Sequence, residues 1–183
     1  MTFWTGVWWV ITQFFSLLGY WLSLFFVVPF KNIEVLWILI PIWLNLIFAD
    51  FYQEKHGTSI GNAISNGSVL LWVGLDWIRF LTRTSHAWNG IFILKILLCA
   101  IATIAGFFII IEGIRGKKLV HIIGRVRETS YILLVFSPII YNLITPSWNY
   151  VIAIFLFFPL FYFIFEMIDR MIPDPKAYQE EKN

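Results

Sequence analysis

The first 30 residues contain the feature that most limits what this chain can fold into. Residues 2–30 carry no charged side chain, and about 20 consecutive apolar residues are enough for a helix to cross the hydrocarbon core of a bilayer. A secretory signal would need a basic leading region and a cleavage site of small residues, and the sequence has neither. The stretch therefore predicts a retained transmembrane helix.

Five further apolar blocks follow the first one, at residues 35–49, 60–81, 91–111, 131–145 and 150–168. Because backbone polar groups cannot face lipid unpaired, spanning segments are helices or closed barrels, and these blocks lack the alternation of barrel strands. Charged residues also make up only 13% of the chain, well below the about 25% that is typical of soluble domains. We predict an all-α, polytopic integral membrane helical bundle with about six transmembrane helices, or five to seven if a short block is re-entrant.

Basic residues predict the orientation of the bundle. The connector at 115–128 holds the densest cluster of Lys and Arg, and such loops usually stay in the cytoplasm. Six helices then place both termini in the cytoplasm, whereas five helices would move the N-terminus outside. We predict a single transmembrane domain, 1–183, with a short polar, cytoplasmic C-terminal tail at 169–183.

The same connector has the pattern of an amphipathic helix near residues 117–127. At about 100° per residue, four basic side chains share one side, namely Lys117, Lys118, His121 and Arg125. A helix of this kind lies in the membrane interface and directs its cations toward anionic lipid headgroups. The alternative is a topology anchor followed by a short connector.

The third block is unusually polar. On a helical projection, its polar side chains form one stripe that contains Thr58, Asn62, Ser65, Asn66 and Asp76. Such groups are costly in lipid unless they are paired or hydrated, so the stripe should face protein or a water-filled cavity. Small residues at four-residue spacing let helix backbones approach closely, and here they are Gly57, Gly61, Ala63 and Gly67. We predict that this helix is central and lies at a subunit contact.

Two functions compete for this polar stripe. In the first, it lines a permeation path or a solute site, where the amides supply hydrogen bonds and Asp76 attracts cations. In the second, the same groups join helices through interhelical hydrogen bonds, within one chain or between copies.

Two further carboxylates precede the stripe. Asp50 and Glu54 are four residues apart, so a continuing helix would place both on one face, with His56 close by. Such a group is suited to binding a divalent cation or to acid/base chemistry at the membrane surface. The alternative is a polar loop end whose side chains lie in water.

Several kinds of chemistry are disfavoured. Cys99 is the only cysteine, which excludes an intrachain disulfide and a cysteine-rich metal site. The sequence has no glycine-rich phosphate loop, and its three histidines lie in separate connectors, which does not indicate haem or zinc. The net charge of +2 gives no support for nucleic-acid binding. We predict no cofactor and no bound metal.

These observations favour a channel or a small-solute transport protein. A non-catalytic structural subunit, of a homo-oligomer or of a larger membrane complex, is the first alternative. An enzyme that acts on lipid through Asp50, Glu54 and His56 is the second. The predicted partners are the lipid bilayer, with its anionic headgroups, and either further copies of the chain or another subunit of a membrane complex.

Overall fold

The computed structural model describes residues 3–55, 57–84 and 88–173, and all regular structure in these ranges is helical. In chain order, the helices are α1 (Phe3–Phe26), α2 (Ile33–Phe48), α3 (Ile60–Arg83), α4 (Gly90–Ile114), α5 (Val120–Ile123), α6 (Val126–Ile140), α7 (Trp148–Leu156) and α8 (Phe158–Met171). A 3-10 turn, Val28–Lys31, connects α1 to α2, and a π-helical turn, Ala49–Gln53, prolongs α2.

Four helical segments in the described ranges are long and apolar enough to cross a membrane. They are Trp4–Phe26, Ile33–Gln53, Gly90–Ile114 and Trp148–Met171, of which the last combines α7 and α8. The prediction of an all-helical membrane bundle is therefore confirmed. The other two predicted crossings differ in character. Helix α3 has 24 residues and a polar first half. Helix α6 has 15 residues, which make about 22 Å of helix at about 1.5 Å per residue.

Side-chain caps explain where several helices begin. Each cap is an Asn or Ser whose side-chain oxygen accepts a hydrogen bond from a backbone N–H of the first turn; they are Asn32 (α2), Ser59 (α3), Asn89 (α4) and Ser147 (α7). Such caps satisfy N–H groups that a helix cannot pair within itself. The polar residues that separate the apolar blocks therefore act as helix start signals.

Helices α3 and α4 make the most extensive contact between helices in the described part of the chain. Gly67 of α3 approaches Gly106 of α4 so closely that a Cβ on Gly106 would lie 2.7 Å from the carbonyl oxygen of Gly67. Small residues permit this approach between membrane helices, and close packing then stabilises the pair. Here the small residues join two helices of one chain.

The most deeply buried helix is α6, because twelve of its fifteen residues are buried. Helix α3 buries eight of its 24 residues, and its outer face exposes Trp72, Leu75 and Ile78. The prediction that the polar third block is the central helix is therefore wrong. Helix α6 is surrounded by its neighbours, whereas α3 has an apolar outer face that suits contact with lipid.

Hydrogen bonds show which helix ends lie together. The π-helical turn, the start of α3, α5, the start of α6 and the end of α8 meet at one end of the bundle. At the opposite end, Tyr141, which follows α6, donates to Asp76 of α3. Lys95 of α4 donates there to the carbonyl of Ile140, at the last turn of α6. The polar side chains are thus concentrated at the two ends of a mainly apolar bundle.

The predicted continuous amphipathic helix near 117–127 does not form, because the four residues of α5 are separated from Val126 and Arg127, which belong to α6. The carbonyl of Gly124 accepts a hydrogen bond from Asn66 Nδ2 at 2.8 Å. The helix is interrupted after Gly124, because Arg125 adopts an extended conformation instead of a helical one. Of the predicted tail at 169–183, residues 169–171 belong to α8, and residues 174–183 lie outside the described ranges.

Candidate binding site

A pocket lined by charged residues lies at the end of the bundle where α2, α3, α6 and α8 meet. We call it the polar chamber; its volume is about 240 Å³. Its walls consist of Asp50, Glu54, Lys55, Gly57, Thr58, Arg125, Arg127, Glu128, Tyr162, Glu166 and Asp169. When all of these groups are ionised, five carboxylates face three cationic side chains, which leaves an excess of two negative charges.

Arg127, at the start of α6, connects three elements across the polar chamber. Its Nε donates to Asp50 Oδ1 at 2.6 Å, and its Nη1 donates to Glu166 Oε2 at 2.9 Å. Its Nη2 lies 3.9 Å from Asp169 Oδ2, and its Cζ lies 5.0 Å from the centre of the Tyr162 ring, a cation–π distance. Arg127 and Asp50 are 9% and 4% exposed, so removal of Arg127 would leave the buried carboxylate of Asp50 uncompensated.

Asp50 has a carboxylate oxygen that the protein does not use. The residue lies in the π-helical turn and is 4% exposed. Its Oδ1 binds Arg127, but its Oδ2 has no hydrogen-bond partner among the residues that the structure describes. Buried polar atoms are normally paired, and an unpaired one is costly. Asp50 also lines the polar chamber, so its carboxylate has an unused acceptor for a cation or for a donor group of a ligand.

Glu54, by contrast, has both oxygens occupied. Its Oε1 accepts from Asn66 Nδ2 at 2.6 Å, and its Oε2 accepts from Thr58 Oγ1 at 2.6 Å and from the Val126 N–H at 3.3 Å. The carboxylate therefore holds the π-helical turn against α3 and α6. His56, the third member of the predicted acidic site, lies outside the described residues.

Asn66 is the most buried member of the predicted polar stripe, at 1% exposed. Its Nδ2 donates to Glu54 and to the carbonyl of Gly124, and its Oδ1 accepts from Asn45 Nδ2 of α2 at 3.2 Å. Two members of the predicted stripe, Asn66 and Thr58, therefore bind one carboxylate of the predicted pair, that of Glu54. Asn45 extends this hydrogen-bond network from the polar chamber into α2.

The remaining members of the stripe do not form one continuous path. Thr58 lies in the wall of the polar chamber, and Asn62 donates from Nδ2 to the carbonyl of Gln53 at 3.1 Å. Ser65 is exposed on the outside of the bundle. Asp76 lies at the opposite end, and buried apolar side chains of α3 separate it from the polar chamber.

Asp76 forms part of a hydrogen-bonded group at that opposite end. Arg79 Nε and Nη2 each lie 2.6 Å from Oδ1, and Tyr141 Oη donates to Oδ2. Both carboxylate oxygens of Asp76 therefore have partners, and the group joins α3 to the end of α6.

The predicted packing residues divide into two pairs. Ala63 is fully buried against Gly124, and Gly67 lies against α4. Gly57 and Gly61 meet no neighbouring helix within the described ranges. Within the part of the chain that the structure describes, Ala63 and Gly67 therefore contribute to helix packing, and Gly57 and Gly61 do not.

The predicted lipid-contacting cations also have different surroundings. Lys117 and Lys118 are exposed on the connector before α5. His121 instead points toward α3, where its Nδ1 is hydrogen-bonded to the carbonyl of Thr58. Arg125 lies at the rim of the polar chamber, with 47% of its side chain exposed.

Six chamber residues were not predicted as site residues from the sequence, namely Lys55, Arg127, Glu128, Tyr162, Glu166 and Asp169. The sequence did set Arg127 apart from the other basic residues of its connector, because it lies off their shared stripe. Glu166 is spaced for a local pair with Arg170, which it forms at 3.0 Å. Its second bond, to Arg127, depends on the packing of α6 against α8 and has no local sequence pattern.

Comparisons with known proteins identify no family for this chain. A scan against protein-family models found no match, and neither the curated proteins nor the solved structures gave one. In the described ranges, no group of three or more His, Cys, Asp or Glu side chains is placed to hold a metal ion. Function must therefore be inferred from the geometry of the polar chamber.

Proposed function

We propose that this protein is a membrane carrier that binds a small solute through a positively charged group in the polar chamber. The observation that supports this proposal most directly is Asp50, which lines a pocket with excess negative charge and whose buried Oδ2 has no partner in the described residues. A cationic group would supply the missing donor and neutralise part of this charge, whereas an anion would be repelled.

A carrier suits the geometry better than an open channel. A second polar pocket of about 260 Å³ lies at the opposite end of the bundle, and its wall includes Asn89, Lys95 and Asn142. Between the two pockets, Trp77 is 1% exposed and donates from Nε1 to Ser137 of α6 at 3.2 Å. Packed side chains thus fill the path, so transport would require helices around α6 to move and expose the site to each side in turn.

The topology that we propose has six crossings, formed by α1, α2, α3, α4, α6 and the α7–α8 pair. The end with the polar chamber also carries the basic connector, which favours the cytoplasmic side. Both termini would then lie in the cytoplasm. Helices α3 and α6 would cross with their polar groups turned toward the chamber, where they avoid lipid.

Flux into liposomes tests this proposal. The purified protein would be reconstituted, and uptake of labelled methylammonium, sodium and rubidium would be measured. We expect uptake of at least one cation above the level of protein-free liposomes. Asp50→Asn should reduce this uptake at least about tenfold, because a lost charge partner in a desolvated site costs about 1.4 kcal/mol or more. Absence of uptake for every cation, or unchanged uptake in Asp50→Asn, would contradict the proposal.

Glu112→Gln is the matched control. Glu112 pairs with Arg115 at the end of α4, outside the polar chamber, so this variant loses the same charge without changing the site, and its uptake should equal that of the native protein. Each variant is compared only when it elutes as the same monodisperse species. If Asp50→Asn fails this check, Glu128→Gln replaces it, since the buried Oε2 of Glu128 also has no partner in the described residues.

A structural subunit is the second candidate, and the surface of α1 favours it. Trp4, Trp8 and Phe15 are 76%, 72% and 63% exposed, and α1 is the least buried of the four long apolar segments. A second copy would cover this face. Light scattering of the purified protein tests this candidate: an oligomer that Trp8→Ala dissociates would support it, and a monomeric native protein would contradict it.

An enzyme acting on lipid is less well supported by this geometry. Acid/base catalysis needs a group that is free to exchange a proton with the substrate. Both oxygens of Glu54 accept hydrogen bonds from the protein. Among the described members of the predicted group Asp50, Glu54 and His56, Asp50 is therefore the one that has a carboxylate oxygen without a hydrogen-bond partner.

A further inference from the structure

We propose that the positively charged group bound in the polar chamber is the amine of a membrane lipid, whose hydrocarbon tail lies in an apolar groove beside the chamber. This inference rests on the proposed function, because it names the class of solute that the site takes. The groove, its connection to the polar chamber and the distribution of charge support it.

The apolar groove runs between α6 and the α7–α8 pair. Its volume is about 220 Å³, and it is lined almost entirely by hydrocarbon. The lining side chains are Glu128, Tyr131, Ile132, Val135 and Phe136 from α6, and Ile154, Phe155 and Phe158 from the α7–α8 pair. An elongated apolar chain is the ligand that such a groove suits, because its burial requires no polar partner.

The groove and the polar chamber meet at one residue. Glu128 lines both, and its Oε1 accepts a hydrogen bond from Tyr162 Oη of the chamber at 3.4 Å. The ring of Tyr162 lies 6.2 Å from the ring of Phe158, which lines the groove. From Glu128, the groove follows α6 as far as Phe136, a distance of about 12 Å at about 1.5 Å per residue. The charged pocket therefore leads into an apolar groove, in the same way that the polar headgroup of a lipid leads into its hydrocarbon tail.

The charges of the polar chamber select the headgroup. Its excess of two negative charges favours an amine over an anionic headgroup. The unpaired buried oxygens of Asp50 and Glu128, neither with a partner in the described ranges, are acceptors for an ammonium group. Arg125 at the rim lies 3.8 Å (Nη1) from Glu128 Oε1 and has 47% of its side chain exposed, so the remaining donors of its guanidinium can pair with a lipid phosphate. A zwitterionic lipid that carries both an amine and a phosphate fits this arrangement.

Lipid binding by the purified protein tests this inference. The protein would be equilibrated with vesicles of dioleoyl phosphatidylethanolamine or of dioleoyl phosphatidylglycerol, and retained lipid would be measured by native mass spectrometry. A third arm would use glycerophosphoethanolamine, which has the same headgroup and no tail. We expect retention of the ethanolamine lipid to exceed that of the other two at least about tenfold.

Two variants separate the headgroup from the tail. Glu128→Gln should lower retention of the ethanolamine lipid, and Ile132→Trp, which fills the groove at an exposed position of α6, should lower it as well. Ile93→Trp is the matched control, because Ile93 is similarly exposed on α4, away from the groove. It should leave retention unchanged. Each variant must elute as the native species does, so that lost binding is not caused by misfolding.

The outcomes distinguish failure of the inference from failure of the proposed function. Equal retention of the two lipids would show non-specific annular lipid and overturn the inference. Binding of glycerophosphoethanolamine as tight as that of the lipid, with no effect of Ile132→Trp, would also overturn it and leave the small-solute carrier standing. Absence of binding for the ethanolamine lipid and its tail-free analogue, together with absence of cation uptake, would overturn both proposals.

Discussion

Asp50 and Glu54 are neighbours in the sequence, but the surrounding donors give them different roles. Glu54 accepts hydrogen bonds from Thr58, which precedes α3, from Asn66 of α3 and from Val126 of α6, and thereby holds the wall of the polar chamber together. Asp50 shares one oxygen with Arg127 and has no described partner for the other. The four-residue spacing predicted that the two carboxylates lie close together. It could not predict which one is saturated, because the donors come from residues far along the chain.

Glu54→Gln should destabilise the protein. The amide nitrogen of glutamine cannot accept a hydrogen bond, so at least one buried donor loses its partner, at a cost of about 1–3 kcal/mol. We expect a lower midpoint of thermal unfolding in detergent. Glu112→Gln, which removes one partner of an ion pair at the protein surface, should lower the midpoint much less, because such pairs contribute about 0–1 kcal/mol. Equal midpoints for native protein and Glu54→Gln would contradict the role assigned to Glu54.

Asp76→Asn should reduce stability and leave cation uptake unchanged. Both oxygens of Asp76 are bonded to Arg79 and Tyr141 at the end of the bundle opposite the polar chamber. The sequence indicated Asp76 as a pore residue because it continues the polar stripe, but its partners give it a structural role. A large loss of uptake in a well-folded Asp76→Asn protein would return Asp76 to the transport path.

At the level of helices, local sequence predicts that a helix forms better than it predicts how the helices pack against one another. The predicted apolar blocks begin within two residues of the starts of α2, α3, α4 and α7, and the Asn and Ser caps that fix these starts were not part of the prediction. The central position of α6 was not predictable, because burial depends on which neighbours surround a helix. The short length of α5 was not predicted either, because the basic stripe continues to Arg125, whose extended backbone interrupts the helix.

Gly106→Leu should separate α3 from α4. A Cβ at Gly106 would overlap the backbone of Gly67 and Leu71, and overpacking of a well-packed contact costs about 1–3 kcal/mol or more. The measurement is again the midpoint of thermal unfolding. Gly19→Leu is the matched control, because no described atom lies within 4 Å of a Cβ at Gly19. If the two variants unfold at the same temperature, the close contact between α3 and α4 is wrong.

For the whole molecule, the polar chamber is assembled from segments that are distant in the chain. Asp50 and Arg127 are 77 residues apart, and Arg127 and Glu166 are 39 residues apart. Composition alone predicts a helical membrane protein, and the stretch from Asp50 to Asn66 predicts half of the site. The other half requires α6 and α8 to pack against that stretch, which no local pattern in a uniformly apolar chain specifies.

The charge and water access of the polar chamber are tested most directly by the reactivity of a cysteine placed in its wall. Thr58→Cys would be made in a Cys99→Ala background and treated with cationic and anionic methanethiosulfonates of similar size, with Lys118→Cys on the exposed connector as the control. We predict that Cys at position 58 reacts at least about tenfold faster with the cationic reagent, since a negatively charged cleft concentrates cations, and that position 118 shows no such preference. No reaction at position 58 with either reagent, or faster reaction with the anionic one, would contradict a hydrated, cation-binding chamber.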